Sequence, residues 1–437
     1  MRKLLVLGSD YYTKDIVEEA KRRGIYVVVA DYNKETPTKN IANERWLIST
    51  ADTAQIIEKC KSEKIEAIIT GASDFNTEQA RTICKELGYP LYCESDLAWK
   101  ASRNKALFKK VCEEEGVSVA KRFDISDELT DDEISTIKFP VVVKPVDKSA
   151  NRGMSYCYNK EDLIAGYQYA RSISDTNDII VERMLSGTEH HVCYCAANGE
   201  IRLVSFAEAY HNEGERANIY SYENNTSMFL KQYIEEANEG VIRVFKKLGC
   251  TNGIVWVDTM RDSNDGKFYI LEMGYRIAAA LASSPLYEKV NGFNAIKWMV
   301  DCAMGDHHNL TNMPKPLTEP YKSIVAQAHM FVNKDATITQ IDGIETVSKL
   351  DDVIIDIPKK IGDKINAFMS VALFTIYGVN CEDVIKKLKV INSKFKVYDE
   401  KSNNVVIYYD NYEKIRCDYE QGNSQFMKAI AKKLGEV

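Results

Sequence analysis

Two acidic residues, each at the end of an apolar segment, are the strongest chemical signal in the sequence. Asp258 closes the segment 254–257 and Glu272 closes the segment 267–271, with a turn-like stretch at 261–266 between them. This pattern predicts a β-hairpin that places both carboxylates on one side of a sheet. Because Mg²⁺ and Mn²⁺ prefer carboxylate oxygens as ligands, the pair predicts a divalent metal site. The alternative is a solvated hairpin with ordinary surface charges.

Two basic residues suit the binding of an anion close to such a metal. Arg276 lies four residues after Glu272, and its planar guanidinium matches carboxylate and phosphoryl groups. Lys144 ends the apolar segment 139–143 and precedes the polar loop 147–153, whose backbone N–H groups could fold over phosphates. Lys144 and this loop therefore predict a phosphate site, and a merely solvated lysine at a strand end is the alternative.

Cysteines and histidines give weaker signals. The eleven cysteines are scattered without a Cys-x-x-Cys pair, and their odd number favours reduced thiols that pack as small hydrophobic groups. Cys193 and Cys195 would share one face of a strand, where plain packing is favoured over a zinc site with His190 or His191.

A polar, aromatic-rich segment at 208–216, followed by Tyr220 and Tyr222, either lines a site for a second substrate or forms an ordinary surface loop. His211 and His329 could bind a carboxylate or transfer a proton. A structural role is favoured for both histidines, and the sequence leaves their function open.

The first hundred residues alternate apolar and amphipathic segments, which predicts a parallel, doubly wound sheet. Asp31 ends the second strand where the ribose-binding acid of a dinucleotide site would lie. The first turn, however, has Gly8 and lacks the later glycines that pyrophosphate binding needs. A Rossmann-like scaffold whose strand ends face another ligand is therefore favoured. We expect strands at 4–7, 25–30 and 65–70, and helices at 14–23, 53–63 and 76–87.

Further along the chain, a helix at 103–115 precedes a small α+β unit and then a strand-rich region with the acidic hairpin. The polar stretch 305–309 and the prolines that follow it indicate a boundary, after which a mixed unit begins. We therefore expect three domains, at 1–100, 101–310 and 311–437.

Length and composition agree with this division. The 437 residues carry 57 basic and 64 acidic side chains, a net charge of −7, and 45% are hydrophobic. At about 150 residues per domain, this length allows about three domains. An average composition without basic blocks excludes collagen-like and disordered classes and disfavours nucleic acid or an anionic membrane as a partner. The sequence has neither an apolar run of about 18–20 residues nor a signal peptide, so we expect a cytoplasmic protein.

Five elements, in this order, resemble the ATP-grasp superfamily. They are Lys105, Phe-Pro-Val-Val-Val-Lys-Pro at 139–145, Val-Glu-Arg-Met-Leu-Ser-Gly-Thr-Glu at 181–189, Val-Asp at 257–258 and Leu-Glu-Met-Gly-Tyr-Arg at 271–276. The resemblance implies an α/β and α+β architecture: an N-terminal Rossmann-like parallel sheet and a central ATP-grasp fold with an inserted lid subdomain at about 120–185. A looser resemblance implies a C-terminal mixed α/β closing domain.

The resemblance also implies residues that bind ATP. Lys105 and Lys144 would contact the phosphates, and the covering loop would include Ser149 and Gly153. The hinge that holds adenine would consist of Glu182, Arg183 and Leu185. Glu189 would bind the ribose hydroxyls.

The metal and the reaction centre have implied counterparts as well. Asp258 and Glu272 would hold Mg²⁺ or Mn²⁺, and Arg276 would be the catalytic arginine that stabilises an acyl phosphate. The family pattern Glu-x-Asn-Pro-Arg has Gly274 at the asparagine position here, so one side-chain ligand is missing. The covering loop has Gly153 as its one glycine. Whether one or two metal ions bind therefore stays open.

The implied activity is that of an ATP-dependent carboxylate–amine ligase, which forms an amide or peptide bond through an acyl phosphate and releases ADP and phosphate. Its substrates would be a small-molecule carboxylate and an amine, with amino acids among the candidates. Two alternatives stay open, a bicarbonate-using carboxylase of the same fold and a nucleotide-binding protein without ligase activity. The sequence identifies neither substrate, pathway nor oligomeric state, and it leaves a homodimer open.

Overall fold

The computed structural model describes residues 1–9, 13–148, 152–212, 220–278, 288–289, 292–306 and 313–434 of the chain. Its N-terminal part contains a four-stranded parallel sheet in the order β3-β2-β1-β4. The elements in chain order are β1 (Lys3–Leu7), α1 (Thr13–Arg22), β2 (Tyr26–Ala30), α2 (Pro37–Ile41), β3 (Glu44–Trp46), α3 (Thr53–Glu63), β4 (Ala67–Thr70) and α4 (Asp74–Leu87).

Alternate side chains of these strands enter two different apolar layers, which is why the strand segments are apolar throughout. Leu4 and Val6 of β1 pack in the layer that holds Ile16 of α1. Leu5 packs in the other layer with Ile56 of α3. A parallel sheet covered by helices on both faces is the doubly wound arrangement, so the prediction of a Rossmann-like sheet is confirmed.

Two helices lead from this unit to a small antiparallel sheet in the order β5-β8-β6-β7. The prediction of one helix at 103–115 is wrong at its start, because Asn104 has an extended backbone and separates two helices. The elements are α5 (Asp96–Arg103), α6 (Lys105–Glu114), β5 (Arg122–Phe123), α7 (Asp131–Ser135), β6 (Val141–Pro145), β7 (Ser155–Cys157), α8 (Lys160–Ile173) and β8 (Ile179–Arg183).

The largest sheet is antiparallel, with nine strands. Eight follow the order β13-β12-β9-β10-β11-β14-β19-β17, and β21 pairs with β14. Its strands come from both sides of position 310 in the sequence, because β11, which precedes that position, pairs with β14, which follows it. The predicted domain boundaries stay predictions. The strands are β9 (Gly187–Ala197), β10 (Glu200–His211), β11 (Tyr220–Asn224), β12 (Gly253–Asp262), β13 (Phe268–Gly274), β14 (Ile324–Val332), β17 (Val353–Asp356), β19 (Ser370–Gly378) and β21 (Val406–Ile407).

The remaining elements cover this sheet or form short two-stranded pairs, β15 with β18 and β16 with β20. They are α9 (Leu230–Tyr233), a π-helical turn (Ile234–Asn238), α10 (Glu239–Leu248), α11 (Ala295–Ala303), β15 (Ala336–Thr337), β16 (Gln340–Asp342), α12 (Ile344–Val347), β18 (Lys364–Ile365), α13 (Cys381–Lys394), β20 (Lys396–Tyr398) and α14 (Tyr412–Leu434). Among the described residues, no helix has the length and apolar character to span a membrane.

Candidate active site

The acidic pair lies where the predicted hairpin places it. Strands β12 and β13 are antiparallel neighbours, and Asp258 is the direct partner of Glu272, so the hairpin prediction is confirmed. Each carboxylate has a basic neighbour. Nδ1 of His191 lies 2.7 Å from Oδ1 of Asp258, and Nζ of Lys105 lies 2.7 Å from Oε2 of Glu272.

Glu189, His191 and Asp258 together offer a ligand set that fits a metal ion, because one oxygen or nitrogen atom of each lies within 4.8 Å of the others. Burial disfavours a charged imidazole, but Asp258, Glu223 and Glu189 outweigh it and raise the pKa of His191 to about 10. A second histidine, His211, has its Nε2 3.2 Å from Oε2 of Glu189. The charge of His191 therefore already lies beside the carboxylates that a cation would bind.

One cavity beside the hairpin gathers eight of the residues that the resemblance assigns to nucleotide and metal. It is open to solvent, and about 780 Å³ of space free of protein atoms, open solvent included, lies within it. Val142, Met154 and Leu271 contribute apolar surface that suits a flat ring. The eight residues are Lys105, Lys144, Glu182, Arg183, Leu185, Glu189, Asp258 and Glu272, and their roles stay predictions.

Three paired charges lie at this cavity, and two of them, Glu182 and Lys144, line it. Glu182 is 2% exposed and pairs with Lys109 and, at 3.0 Å, with Nζ of Lys144. Burial opposes its ionisation, yet the two lysines lower the pKa of Glu182 to about 2. Burial and the charge of Lys144 lower the pKa of Lys109 to about 8. Sequence reasoning missed Lys109, although its spacing of four residues from Lys105 on one helix face could have identified it.

The loop after β6 approaches the acidic hairpin through Lys105, whose Nζ donates a hydrogen bond to the carbonyl of Lys148 at 2.9 Å. Gly153 ends this loop with a φ of +79°, and a Cβ there would lie 2.9 Å from Cγ of Pro145. Both its backbone conformation and the close approach therefore favour glycine. Ser149, also predicted to cover phosphates, lies outside the described residues.

Arg276 lines a second cavity, which shares Lys105 and Glu272 with the first. Its Nε donates to Asp74 at the start of α4, and Nη1 of Arg103 lies 2.8 Å from the other oxygen of Asp74. Burial opposes ionisation of Asp74, but the two arginines hold its pKa below its usual value. The N-terminal part of the chain therefore contributes a carboxylate that sequence reasoning did not predict.

The structure places the remaining candidates differently. Tyr222 lies in strand β11 and packs in an apolar cluster, so it is not part of a surface loop. Residues 213–219 lie outside the described ranges, and a substrate site at the segment stays a prediction. Nε2 of His329 lies 3.9 Å from Oε2 of the buried Glu223. Cys193 and Cys195 both pack in the apolar layer of the large sheet, as the packing alternative predicts.

Sequence comparison finds the family model "D-ala D-ala ligase C-terminus" at residues 110–275. The formate-dependent phosphoribosylglycinamide formyltransferase of a Nitratiruptor species is 27% identical over 223 residues, which are 51% of this chain and 57% of that protein. The enzyme of the same name from Maridesulfovibrio salexigens is 29% identical over 185 residues, or 41% and 47% of the two chains. The chain thus spans about half the length of the curated relatives it matches.

Solved structures share the fold over almost the whole chain. The biotin carboxylase domain of the Hydrogenobacter thermophilus 2-oxoglutarate carboxylase, in complex with MgADP, ADP and bicarbonate, has a TM-score of 0.75 at 16% identity, over 92% of this chain and 91% of that chain. The L-amino acid ligase of Bacillus licheniformis has a TM-score of 0.71 at 16% identity, over 94% of this chain and 99% of that chain. The shared architecture is the ATP-grasp fold. The family model, the curated relatives and the residue pattern all support the resemblance of the chain to the ATP-grasp superfamily.

Proposed function

We propose that this protein is an ATP- and Mg²⁺-dependent ligase that joins a small-molecule carboxylate to an amine. The observation that carries the proposal is the convergence of Lys105, Lys144, Asp258 and Glu272 on one cavity, next to Arg276 in the adjoining one. Cationic side chains beside paired carboxylates match the charges of a nucleoside triphosphate and its metal ion.

The reaction needs this positive charge because a carboxylate that attacks ATP is an anion approaching another anion. The carboxylate oxygen bonds to the γ-phosphorus while the bond to the β–γ bridging oxygen breaks, which gives an acyl phosphate and ADP. The amine nitrogen then attacks the acyl carbon, phosphate leaves, and the nitrogen loses a proton. Lys105 and Lys144 bind the phosphates in this scheme, and Arg276 stabilises the acyl phosphate.

The other predicted residues hold the cofactors. Asp258 and Glu272 would bind Mg²⁺, which supplies further charge neutralisation at the phosphates. Glu182 and the backbone of the hinge that follows it, including Arg183 and Leu185, would hold adenine. Glu189 would accept hydrogen bonds from the ribose hydroxyls.

Exclusion of water from the acyl phosphate is the role that we assign to the predicted lid at about 120–185, which would close over ATP. The predicted domains at 1–100, 101–310 and 311–437 would then provide a substrate platform, the grasp and a closing unit. We place the protein in the cytoplasm, as a monomer or a homodimer.

The carboxylate is the finer part of the proposal. The relatives carry formate in their names, one structural neighbour is an L-amino acid ligase, and another holds bicarbonate. An amino acid is the substrate class that we favour, and a bicarbonate-using carboxylase is the second candidate. Formate, L-alanine and bicarbonate are therefore the first carboxylates to test.

A coupled assay of ADP release tests the proposal directly. We expect ADP release from ATP and Mg²⁺ that requires both one of these carboxylates and an amine such as glycine amide. Dependence on bicarbonate without an amine would favour the carboxylase, and ATP binding without any turnover would contradict both enzymes.

Glu272→Ala should abolish this turnover and leave the melting temperature close to that of the wild type, because the side chain is partly exposed. Asp265→Asn is the matched control, since it removes an exposed carboxylate at the tip of the same hairpin. Full activity of a folded Glu272→Ala variant would remove Glu272 from the metal site.

A further inference from the structure

Glu223 carries a carboxylate that the ATP and metal residues do not account for. It lies on β11 with its side chain fully buried, and neither carboxylate oxygen has a hydrogen-bond partner among the described residues. Gln327 of β14 is its direct partner across the sheet and is likewise fully buried, with both amide atoms unpaired in the same part of the chain. Buried polar groups without partners destabilise a fold, so two adjacent ones indicate a place for a polar ligand.

This pair shares a face of the large sheet with the residues predicted for the metal and the ribose, Asp258 and Glu189. Glu189, Ala209 and Glu223 are consecutive direct partners across β9, β10 and β11, and direct partners in antiparallel strands point to the same side. Two strand spacings put Glu223 about 10 Å from Glu189. Ala209 lies between them on β10, and Ala207 is the partner of His191, so β10 contributes only methyl groups to this part of the face.

Glu223 offers two acceptor oxygens and Gln327 offers a third together with its amide N–H₂ group, so the pair fits a ligand that carries several N–H donors. His329 does not supply the countercharge, since burial and the charge of His191 lower the pKa of His329 to about 4. Burial raises the pKa of Glu223 to about 7 although the charge of His191 opposes the rise, and a cationic ligand would further favour the ionised form of Glu223.

We propose that Glu223 and Gln327 bind the amino group of the second substrate, a primary amine carried by a small polar molecule. This inference rests on the proposed ligase function and names the subsite for the amine. The amine is held on the face of the sheet that also carries Glu189 and Asp258, which attack on an acyl phosphate requires.

Glu208, on the neighbouring strand β10, provides a matched control. It is also buried, but its position next to Ala209 places it on the opposite face of the sheet. Its carboxylate accepts hydrogen bonds from Tyr210 at 2.8 Å, Asn224 at 2.9 Å and Ser227 at 2.6 Å. Glu208→Gln therefore disturbs satisfied hydrogen bonds, whereas the same change at position 223 disturbs none between described residues.

Thermal unfolding of the full chain tests the amine subsite. The probes are glycine amide, L-alanine, L-lysine and spermidine, each compared with sodium chloride at equal ionic strength. We expect at least one amine to raise the melting temperature of the wild type above that of the salt control. Glu223→Gln should keep or raise the ligand-free melting temperature and weaken binding of that amine about tenfold or more. Glu208→Gln should lower the ligand-free melting temperature and keep the affinity for the amine.

Three results would overturn the subsite: no effect of any amine probe on the wild type, unchanged amine affinity in both Glu223→Gln and Gln327→Leu, or a loss of stability in Glu223→Gln equal to that in Glu208→Gln. Calorimetry of MgADP binding distinguishes a failure of the amine subsite from a failure of the proposed ligase function. A wild type that binds amines but not MgADP contradicts the proposed function alone. A chain that binds MgADP normally but shows no amine effect contradicts the subsite alone.

Discussion

Gly274 departs from the Glu-x-Asn-Pro-Arg pattern of the superfamily, and the adjacent strand explains the departure. A Cβ at this position would lie 2.1 Å from two ring carbons of Trp256, its direct partner on β12. The indole therefore occupies the space that an asparagine side chain would need. Arg276 stacks 5.2 Å from the centre of the same ring, so Trp256 supports the arginine where the superfamily has a metal ligand.

Gly274→Asn should lower the free energy of unfolding by about 1–3 kcal/mol, because the new side chain overlaps a packed indole. The cost should be smaller in the background of Trp256→Ala, which opens the space. Urea denaturation followed by circular dichroism measures the cost of Gly274→Asn in the wild type and in the Trp256→Ala background, which together form a double-mutant cycle. An equal cost in the two backgrounds would show that the indole does not determine the residue at position 274.

The buried charges around Glu182 make a prediction about pH. Its pKa is lowered from its usual 4.5 to about 2, so the stability gained from its ionisation is present above pH 4.5 and lost as the pH falls toward 2. Glu182→Gln should flatten this dependence. It should also cost about 3–5 kcal/mol near neutral pH, because Lys109 and Lys144 lose their shared buried partner.

Chemical denaturation of Glu182→Gln from pH 5 downward measures this change. Glu200→Gln, which removes an exposed glutamate at the start of β10, should keep the dependence of the wild type. A slope in Glu182→Gln as steep as that of the wild type would assign the acid sensitivity to other carboxylates.

Residue types at the ends of apolar segments predicted part of the site. Asp258 and Glu272 could be found because a hairpin brings its two strand ends together by local pairing. Asp74 and Glu223 could not be found in this way. Asp74 contacts Arg276, which lies 202 positions away in the sequence, and the place of Glu223 depends on the pairing of β11 with β14. No local pattern encodes contacts between residues so far apart in the chain.

At the scale of elements, the junction between α5 and α6 positions the first lysine of the site. The side chain of Asn104 accepts a hydrogen bond from the backbone N–H of Leu107 at 2.9 Å, which caps α6. Lys105 is the first residue of that helix, and its Nζ reaches Glu272. The cap therefore fixes the direction from which Lys105 enters the cavity.

Asn104→Ala should cost about 1 kcal/mol of stability through loss of this cap and should raise the KM for ATP. Asn380→Ala is the matched control, because Asn380 caps α13 in the same way, with a 2.9 Å bond from the backbone N–H of Asp383. It should cost a similar free energy and leave the KM unchanged. An equal rise of KM in both variants would attribute the effect to general destabilisation.

Most elements of the first hundred residues follow from apolar periodicity, as the agreement of predicted and observed strands shows for β1, β2 and β4. The break at Asn104 was missed because the residues on both sides of it continue one helical pattern. The extended backbone of Asn104 and the hydrogen bond from its side chain separate the two helices. The pattern of apolar residues specifies neither of these features.

For the whole molecule, the site depends on parts that are far apart in the sequence. The N-terminal part provides Asp74, the small antiparallel sheet provides Lys144, and the large sheet provides Asp258. The order of the five motifs predicted the superfamily fold, since order along the chain is visible in a sequence. The continuity of the large sheet across position 310 was not predicted, because strand pairing over such distances leaves no local signal.

The transfer of oxygen from the carboxylate to phosphate is the most direct test of the ligase. In the proposed reaction the carboxylate oxygen stays on phosphorus when the amine displaces phosphate from the acyl carbon. With a carboxylate labelled with ¹⁸O, mass spectrometry of the inorganic phosphate should therefore find one labelled oxygen for each ADP released, and Glu272→Ala should yield none. Release of ADP with unlabelled phosphate, in the presence of the labelled carboxylate and the amine, would contradict the account.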